Sequence, residues 1–217
     1  MYARVIKAIL FVAIATALPL IGNPSLIVHP KILILMVAGL AMLLTQPDFK
    51  GHDAKTSKTT DRWSVLAILG AGIVSQVAPI IEWGYWQSDH SGNLYVTALG
   101  LGLIAGGLAF RIWSIHTLGK FFTATVQIVD GHRVIKHGPY AIVRHPSYLG
   151  AYLAIVGSGI FLNSIVGTII GAVVMFIAYV HRLIAEEATL VAAFGEEYEE
   201  YRKATPMVVP LRFDLKN

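Results

Sequence analysis

The stretch YLGAYLAIVGSGIFLNSIVGTIIGAVVMFIAYVH, Tyr148–His181, contains no Asp, Glu, Lys or Arg. Its two apolar runs, Tyr148–Leu162 and Ile165–His181, are separated by Asn163 and Ser164, residue types that favour turns. As helices the runs would be about 22 to 25 Å long, shorter than a hydrocarbon core of about 30 Å. The stretch therefore predicts a helical hairpin that enters a bilayer and returns, and that need not reach the far surface.

Four further apolar runs precede the hairpin, and each is close to the length of about 20 residues that a crossing helix needs. They are Val5–Ile21, Leu26–Thr45, Trp63–Trp83 and Leu94–Trp113. The chain of 217 residues is 55% hydrophobic and only 14% charged, which is too apolar to cover a soluble domain. We therefore expect an all-α integral membrane protein with about five transmembrane elements, the last being the hairpin. No small-residue cleavage site follows Val5–Ile21, so we expect this segment to be retained rather than removed as a signal peptide.

The basic residues are distributed unevenly between the two ends of this layout. Of 17 lysines and arginines, Lys31 alone falls on one side. The other side receives Arg4, Lys7, Lys50, Lys55, Lys58, Arg62, Arg111, Lys120, Arg133, Lys136, Arg144, Arg182, Arg202, Lys203, Arg212 and Lys216. By the positive-inside rule, we expect that side, and with it both termini, to be cytoplasmic. The chain has no cysteine, which excludes disulfides, thiolate metal sites and a cysteine nucleophile.

Glycines are spaced within two of the apolar runs as in helix-packing motifs. Gly102-xxx-Gly106 and Gly167-xxx-Gly171 predict faces where helices pack closely in lipid. Together with Gly100, the first pair also resembles a dinucleotide-binding loop. That motif requires a preceding strand and a helix start, and neither fits the middle of an apolar span. We expect one membrane domain over residues 1–217, with transmembrane helices in 1–113 and a loop, the hairpin and a C-terminal helix in 114–217.

The segment that follows the hairpin places a carboxylate on an apolar helix face. Wound as a helix from Arg182, it brings Glu187 onto the face formed by Leu183, Leu190, Phe194, Tyr198 and Tyr201. Arg182 and Glu186 are i,i+4 neighbours that can pair. Such a pair is either an ordinary surface ion pair or, because charge is costly at the membrane interface, part of a site. We expect Gly195 to interrupt this helix.

The loop before the hairpin, with the sequence HRVIKHGPYAIVRHPSYLG, allows three interpretations. A metal site at His132, His137 and His145 is disfavoured, because neither an i,i+4 histidine pair nor a nearby carboxylate completes a ligand pattern. The loop could be a structural turn built on Gly138-Pro139 and His145-Pro146 with tyrosines at the interface. It could also be a binding loop that faces the C-terminal helix across the hairpin. Composition alone does not decide between the last two.

Several motifs occur in order between His132 and Pro210. They are His132-Arg-Val-Ile-Lys-His-Gly-Pro-Tyr140, Arg144-His-Pro-Ser-Tyr148-Leu-Gly150, Arg182-xxx-Glu186-Glu187, Phe194-Gly-Glu-Glu-Tyr198-xx-Tyr201 and Pro210 itself. In content and spacing this region resembles the C-terminal signature of the isoprenylcysteine carboxyl methyltransferase family, part of a wider group with the phospholipid N-methyltransferases. The first hundred residues resemble the family only in their membrane-spanning character.

The resemblance implies an integral membrane enzyme that moves a methyl group from S-adenosylmethionine, leaving S-adenosylhomocysteine, to a lipophilic acceptor from the bilayer. It places the cofactor pocket on the cytoplasmic side, under the loop and the C-terminal helix. By motif position, the cofactor-binding residues would be His132, Val134, Ile135, Gly138, Tyr140, His145, Tyr148 and Glu187. Arg182 and Glu186 would lie at the acceptor. Val134-Ile135 stands where Leu-Val is commoner in the family, a change of shape rather than of chemistry.

Carboxyl O-methylation of an isoprenylcysteine-type or prenylated acceptor is the first function hypothesis. Methylation of a lipid amine or a small thiol is the second, with Glu186 as a base for an amine. A non-catalytic membrane binding protein is the third, although spans almost free of charge do not favour transport. Membrane lipids are expected neighbours, and neither a metal nor a nucleic-acid partner is expected.

Overall fold

The computed structural model describes residues 2–46, 59–123 and 131–209. Their regular elements are all helical: α1 (Tyr2–Ala17), α2 (Pro30–Leu44), α3 (Thr59–Ile81), α4 (Leu94–Leu118), α5 (Pro146–Phe161), α6 (Ile165–Phe194) and α7 (Glu196–Ala204). Short 3-10 turns occupy Leu18–Leu20, Pro24–Val28, Gly119–Phe121 and Gly138–Ala141, and a π turn at Glu82–Trp86 follows α3. Pro210 of the motif set and the segments 47–58 and 124–130 lie outside the described residues.

Among the described helices, three are long and apolar enough to cross a membrane. They comprise Trp63–Trp86, Leu94–Phe121 and Ile165–Phe194. The apolar helices at Ala8–Leu20, Pro30–Leu44 and Pro146–Phe161 are shorter. The prediction of an all-α integral membrane protein is therefore confirmed, with spans of unequal length.

The hairpin of α5 and α6 differs from the expected pair of short arms. Helix α6 does not end near His181 but extends from Ile165 to Phe194, which is 30 residues and a length of about 45 Å. Its turn also reaches the loop between α3 and α4, because the Gln87 side chain donates to the Asn163 carbonyl (2.9 Å). The Asn93 amide in turn donates to Asn163 Oδ1 (2.9 Å). The hairpin turn thus lies level with the loop opposite the predicted cytoplasmic side, so the expectation of short arms is wrong for α6.

A carboxylate from α3 caps the first turn of α6. The backbone N–H groups that begin a helix have no partners within it, and Ser164 supplies no side-chain cap of its own. Glu82 accepts instead from the Ser164 hydroxyl and from the amides of Ile165 (3.0 Å) and Gly167 (2.6 Å). Its negative charge also suits the positive end of the helix dipole. The start of α6 is therefore fixed to the end of α3.

Helices α4 and α5 approach each other at backbone distance. A Cβ added to Gly107 would lie 2.5 Å from the Gly150 carbonyl, and one added to Gly100 would lie 2.2 Å from the Phe161 amide nitrogen. The predicted packing face at Gly102 and Gly106 is wrong, since a Cβ at either would meet nothing within 4 Å. The apolar pattern is nearly uniform around α4, so the sequence could not indicate which glycine face meets α5.

The second predicted glycine face, on α6, is confirmed. A Cβ at Gly167 would lie 2.5 Å from Pro79, and one at Gly171 would lie 3.0 Å from Ser75. The Ser75 hydroxyl donates to the Gly171 carbonyl (2.9 Å), which adds a hydrogen bond between α3 and α6. Close packing of α4 on α5 and of α3 on α6 holds the hairpin inside the bundle, with the loop before it at one end.

Candidate active site

A cavity of about 410 Å³ lies at the end of the bundle where the loop before the hairpin meets α6 and α7. Its lining includes most of the predicted site residues: His132, Val134, Ile135, Tyr140, His145, Tyr148, Arg182 and Glu186. Gly138 and Glu187 are not in the lining. The structure therefore brings the loop motif and the C-terminal motif to one cavity, in agreement with the interpretation of the loop as a binding loop.

The loop turns sharply at Gly138 and Pro139. Gly138 has φ +62°, a left-handed conformation that glycine adopts without strain, and Pro139 is buried in the short helical turn that follows. The Tyr140 carbonyl accepts from the Tyr201 hydroxyl (2.6 Å), and the Tyr140 hydroxyl donates to the Ser114 carbonyl (3.4 Å). Burial raises the pKa of both tyrosines, so each remains a neutral donor. Gly138 thus shapes the wall without facing the cavity.

The chain after α7 pairs with the loop along its backbone. The amides of Arg144 and His145 donate to the carbonyls of Pro206 (2.9 Å) and Met207 (3.0 Å). The Arg144 guanidinium also donates to the carbonyls of Arg202 (3.1 Å) and Thr205. The residues after α7 therefore hold the His145 side of the cavity wall in place.

Glu187 lies at the centre of a buried network just outside the cavity lining. Its Oε1 contacts His145 Nε2 (2.7 Å), the Tyr198 hydroxyl (2.7 Å) and Arg144 Nε (3.1 Å). Its Oε2 accepts from Arg144 (2.9 Å) and Arg202 (3.2 Å). Burial, followed by the hydrogen bond to Glu187, raises the pKa of Tyr198, so its phenol stays protonated and donates. Glu187 thus links α6, α7 and the loop. It does not line the cavity itself but contacts His145, which does.

The Arg182 and Glu186 side chains are linked through a tyrosine. Arg182 Nε donates to the Tyr148 hydroxyl (3.3 Å), and this hydroxyl donates to Glu186 Oε2 (2.9 Å). A second guanidinium nitrogen of Arg182 donates to the Ser64 hydroxyl (3.0 Å). Arg182 is 3% exposed, so its charge is held at a fixed place within the protein. The i,i+4 neighbours Arg182 and Glu186 are thus linked through Tyr148, which lies across the hairpin in α5.

Arg111 is a cavity-lining residue that the sequence interpretation missed. Its guanidinium is buried and donates to the Ser147 carbonyl (3.1 Å) and the Thr45 hydroxyl (3.1 Å), and it lies 5.8 Å from the Phe122 ring. An arginine within the otherwise apolar run of α4 was the available signal, because charge inside a span marks a functional position by default. The cavity lining therefore includes the buried cation of Arg111 in addition to those of Arg144 and Arg182.

His132 lines the cavity and carries a buried nitrogen without a partner among the described residues. Its ring stacks on Phe121 (4.6 Å between centroids, 2° between planes) and meets the edge of Phe194 at 5.3 Å. Burial lowers the pKa of His132, which favours the neutral imidazole. Within the described part of the chain, its buried Nδ1 has no hydrogen-bond partner. A neutral imidazole nitrogen in such a place can accept a hydrogen bond from a ligand.

Comparison with known proteins supports the predicted resemblance. Residues 98–192 match the model of the isoprenylcysteine carboxyl methyltransferase (ICMT) family. A protein-S-isoprenylcysteine O-methyltransferase of Schizosaccharomyces pombe is 34% identical over 121 residues, which are 55% of this chain and 51% of that protein. Protein-S-isoprenylcysteine O-methyltransferase B of Arabidopsis thaliana is 34% identical over 118 residues, 54% of this chain and 60% of that protein. The chain thus spans between half and two thirds of the length of these relatives.

The fold also matches a solved structure. That structure is the eukaryotic intramembrane Ras methyltransferase ICMT, aligned with a TM-score of 0.64 and 23% identity over 93% of this chain and 74% of that one. The match covers the N-terminal helices as well as the region of the family model. The predicted all-helical membrane architecture is therefore shared with a known membrane protein.

Proposed function

We propose that the protein is an S-adenosylmethionine-dependent membrane methyltransferase that methylates the carboxylate of an isoprenylcysteine-type or similar lipophilic acceptor. The observation that carries this proposal is the bridge from Arg182 through Tyr148 to Glu186 in the wall of the cavity. The match to the isoprenylcysteine methyltransferases supports it. Because the chain covers only part of the length of those relatives, the complete activity is itself part of the proposal.

The cavity fits S-adenosylmethionine in size and in chemistry. Its volume of about 410 Å³ falls within the range of small-molecule sites. The unpartnered His132 Nδ1 offers an acceptor for the amino groups of such a ligand. Tyr140 and Tyr148 line the same cavity, and aromatic rings attract a cationic sulfur by cation–π interaction. The chemistry that the cofactor would supply is a methyl group on a sulfonium, which is transferred by in-line displacement.

The residues of the chain then act chiefly by holding and aligning the acceptor. A carboxylate is ionised at neutral pH and needs no general base to become a nucleophile. Arg182 binds this carboxylate with a planar guanidinium, whose fork matches the geometry of the two oxygens. Tyr148, Ser64 and Glu186 orient Arg182 through the contacts described above. Alignment of this kind accounts for a large part of the barrier reduction in two-substrate reactions.

A lipid amine is the second candidate acceptor, and one observation favours it. The Glu186 side chain lines the cavity and is 28% exposed, and its Oε1 lies 3.8 Å from His145 Nδ1. A carboxylate in that place can remove a proton from an ammonium acceptor, which carboxylate methylation does not require. The two candidates therefore differ in whether Glu186 only orients Arg182 or also takes a proton.

Purified full-length protein supplied with methyl-labelled S-adenosylmethionine distinguishes these functions. A farnesyl-cysteine derivative, phosphatidylethanolamine and a simple thiol are offered in parallel, with the Arg182→Ala protein as control. We expect base-labile label, the mark of a methyl ester, on the farnesyl-cysteine derivative and its loss in the variant. Label on phosphatidylethanolamine alone would establish the second candidate. No transfer to any acceptor, together with no binding of S-adenosylhomocysteine, would reject both.

We also propose that the cavity faces the cytoplasm, in keeping with the distribution of lysine and arginine. The natural absence of cysteine permits a direct test. A cysteine at the exposed Lys203, near the cavity, should be shielded from a membrane-impermeant maleimide added outside intact cells. A cysteine at Tyr95, which is 85% exposed at the opposite end, should be labelled. The reverse pattern would place the cavity outside.

A further inference from the structure

A second cavity, of about 170 Å³, adjoins the first inside the bundle. The two share the lining residues Leu43, Gln46, Ile68, Leu69 and Tyr179. The second cavity also reaches the outer surface, since it is lined by Phe11 and Ile73, which are 46% and 45% exposed. Much of its wall comes from α1, α2 and α3, which precede the region matched by the family model.

Two polar side chains in the wall of this apolar cavity, Gln76 and Tyr179, form no side-chain hydrogen bond within the described part of the chain. The Gln76 amide lines the cavity, and among the described residues it forms no hydrogen bond. By contrast, the hydroxyls of Thr16 and Ser158 each donate to a carbonyl of their own helix at 2.8 Å. An amide carries two donors and one carbonyl acceptor, and leaving them unpaired in a hydrocarbon environment is unfavourable. Tyr179 lies where the two cavities meet, so the half-buried Gln76 is the side chain deeper in the second cavity that presents both donors and an acceptor to a ligand.

The position of Gln76 fixes how far such a ligand must extend. Ser64 and Gln76 both lie in α3, twelve positions apart, which corresponds to about 18 Å along the helix. Ser64 contacts Arg182, the residue assigned to the acceptor carboxylate. A molecule with its carboxylate at Arg182 would meet Gln76 far along its chain and not near its head group.

We propose that Gln76 selects an acceptor whose apolar chain carries a hydroxyl or carbonyl oxygen at its distal end. The inference rests on the proposed function, since it places the acceptor head at Arg182. The chain would pass Tyr179 from the first cavity into the second, and the Gln76 amide would hydrogen-bond the distal oxygen. A site built to bind a polar group discriminates strongly against an analogue that lacks it, because its own polar atoms are then left unpaired.

Two S-alkylated N-acetylcysteines of equal chain length test this proposal, one with a plain hydrocarbon end and one with a terminal hydroxyl. Wild-type protein in lipid vesicles should methylate the hydroxylated compound with a kcat/KM about tenfold higher, the value of one net hydrogen bond, expressed through KM. Gln76→Leu should remove or reverse this preference. Ser158→Ala should retain it, because the Ser158 hydroxyl is already bonded within its helix.

The proposal is overturned if wild-type protein shows no preference, or if Gln76→Leu keeps the wild-type preference. Failure of the proposed function is recognised separately, as absence of methyl transfer to either compound. In that case the same pair is compared as ligands by the rise in Tm of each protein. A larger rise with the hydroxylated compound in wild type, lost in Gln76→Leu, would still support the selective role of Gln76, and equal rises would refute it.

Discussion

Arg144 and Glu187 form a bidentate ion pair, with nitrogen–oxygen distances of 3.1 and 2.9 Å, that ties the loop before the hairpin to α6. Both side chains are buried, at 8% and 6% exposure. A buried pair of this kind adds little when compared with apolar residues, but removing one partner strands the other charge. The pair therefore fixes the relative positions of the two parts of the cavity wall.

The first prediction concerns this pair. Glu187→Gln should lower the free energy of unfolding by roughly 3 kcal/mol, because Arg144 would keep its charge without a buried counter-ion. The loss should be measured by thermal unfolding of the ligand-free protein in detergent. The matched control is Lys136→Ala, which removes an exposed ion pair with Glu197 (3.2 Å) and should cost about 1 kcal/mol or less. Equal losses in the two variants would contradict the central position of Glu187.

The second prediction separates binding of the acceptor from binding of the cofactor. Arg182→Ala and Glu186→Ala should each reduce kcat/KM for methyl transfer by about a hundredfold or more, since fixed charge at the reacting groups is lost. S-adenosylhomocysteine should bind both variants with unchanged affinity, measured by calorimetry. Near-normal turnover in both variants would remove these residues from the proposed mechanism.

The third prediction isolates the hydroxyl of Tyr148. Tyr148→Phe retains the ring, which packs edge-on against Tyr179 at 5.0 Å, but breaks the bridge between Arg182 and Glu186. We expect turnover to fall about tenfold or more, because the hydroxyl loses its hydrogen bonds with both Arg182 and Glu186. Tyr152→Phe is the control, because that hydroxyl donates only to the Ala172 carbonyl (3.2 Å) within the hairpin. A loss of S-adenosylhomocysteine affinity without a change in turnover would assign the Tyr148 hydroxyl to cofactor binding and not to the bridge.

The fourth prediction is a dependence of stability on pH. Burial lowers the pKa of His132 from its ordinary 6.5, so the unfolded chain binds a proton more readily than the folded one. The free energy of unfolding should therefore fall as the pH drops through and below 6.5. Burial also lowers the pKa of His29, so wild type and His132→Gln are compared by thermal unfolding between about pH 5 and 8. The variant should lose less stability on acidification, and parallel curves would contradict the prediction.

Much of the fold was predictable because the length of an apolar run and the turn residues beside it are local features of the sequence that indicate where helices begin and end. The run from Tyr148 to His181 and its Asn163-Ser164 turn indicated the hairpin directly. The glycine face of α4 was not predictable, because every face of that helix is apolar and only its contact with α5 selects Gly100 and Gly107. The full length of α6 was also missed, since Arg182 looked like the end of a span rather than a charge within a continuous helix.

The candidate site was predictable where motif order brings residues to one cavity, as for His132 and Tyr148. The sequence could not indicate that a tyrosine of α5 joins Arg182 to Glu186, because this contact depends on the register of the hairpin. Nor could it place Glu187 outside the cavity lining. Arg111 carried a signal in its unusual position within α4, but its partners at Ser147 and Thr45 are distant in sequence.

The cap that Glu82 provides for α6 has a mechanical consequence. Helix α6 runs unbroken from that cap to Arg182 and beyond, so the far end of the protein sets the depth of Arg182. A bilayer that is too thick or too thin makes an embedded protein tilt or deforms the lipid around it. In such a bilayer the distance between Arg182 and the Glu82 cap would stay the same, but the distance between Arg182 and the membrane interface would change. The thickness of the membrane thereby determines how far the head group of the proposed acceptor must descend to reach Arg182.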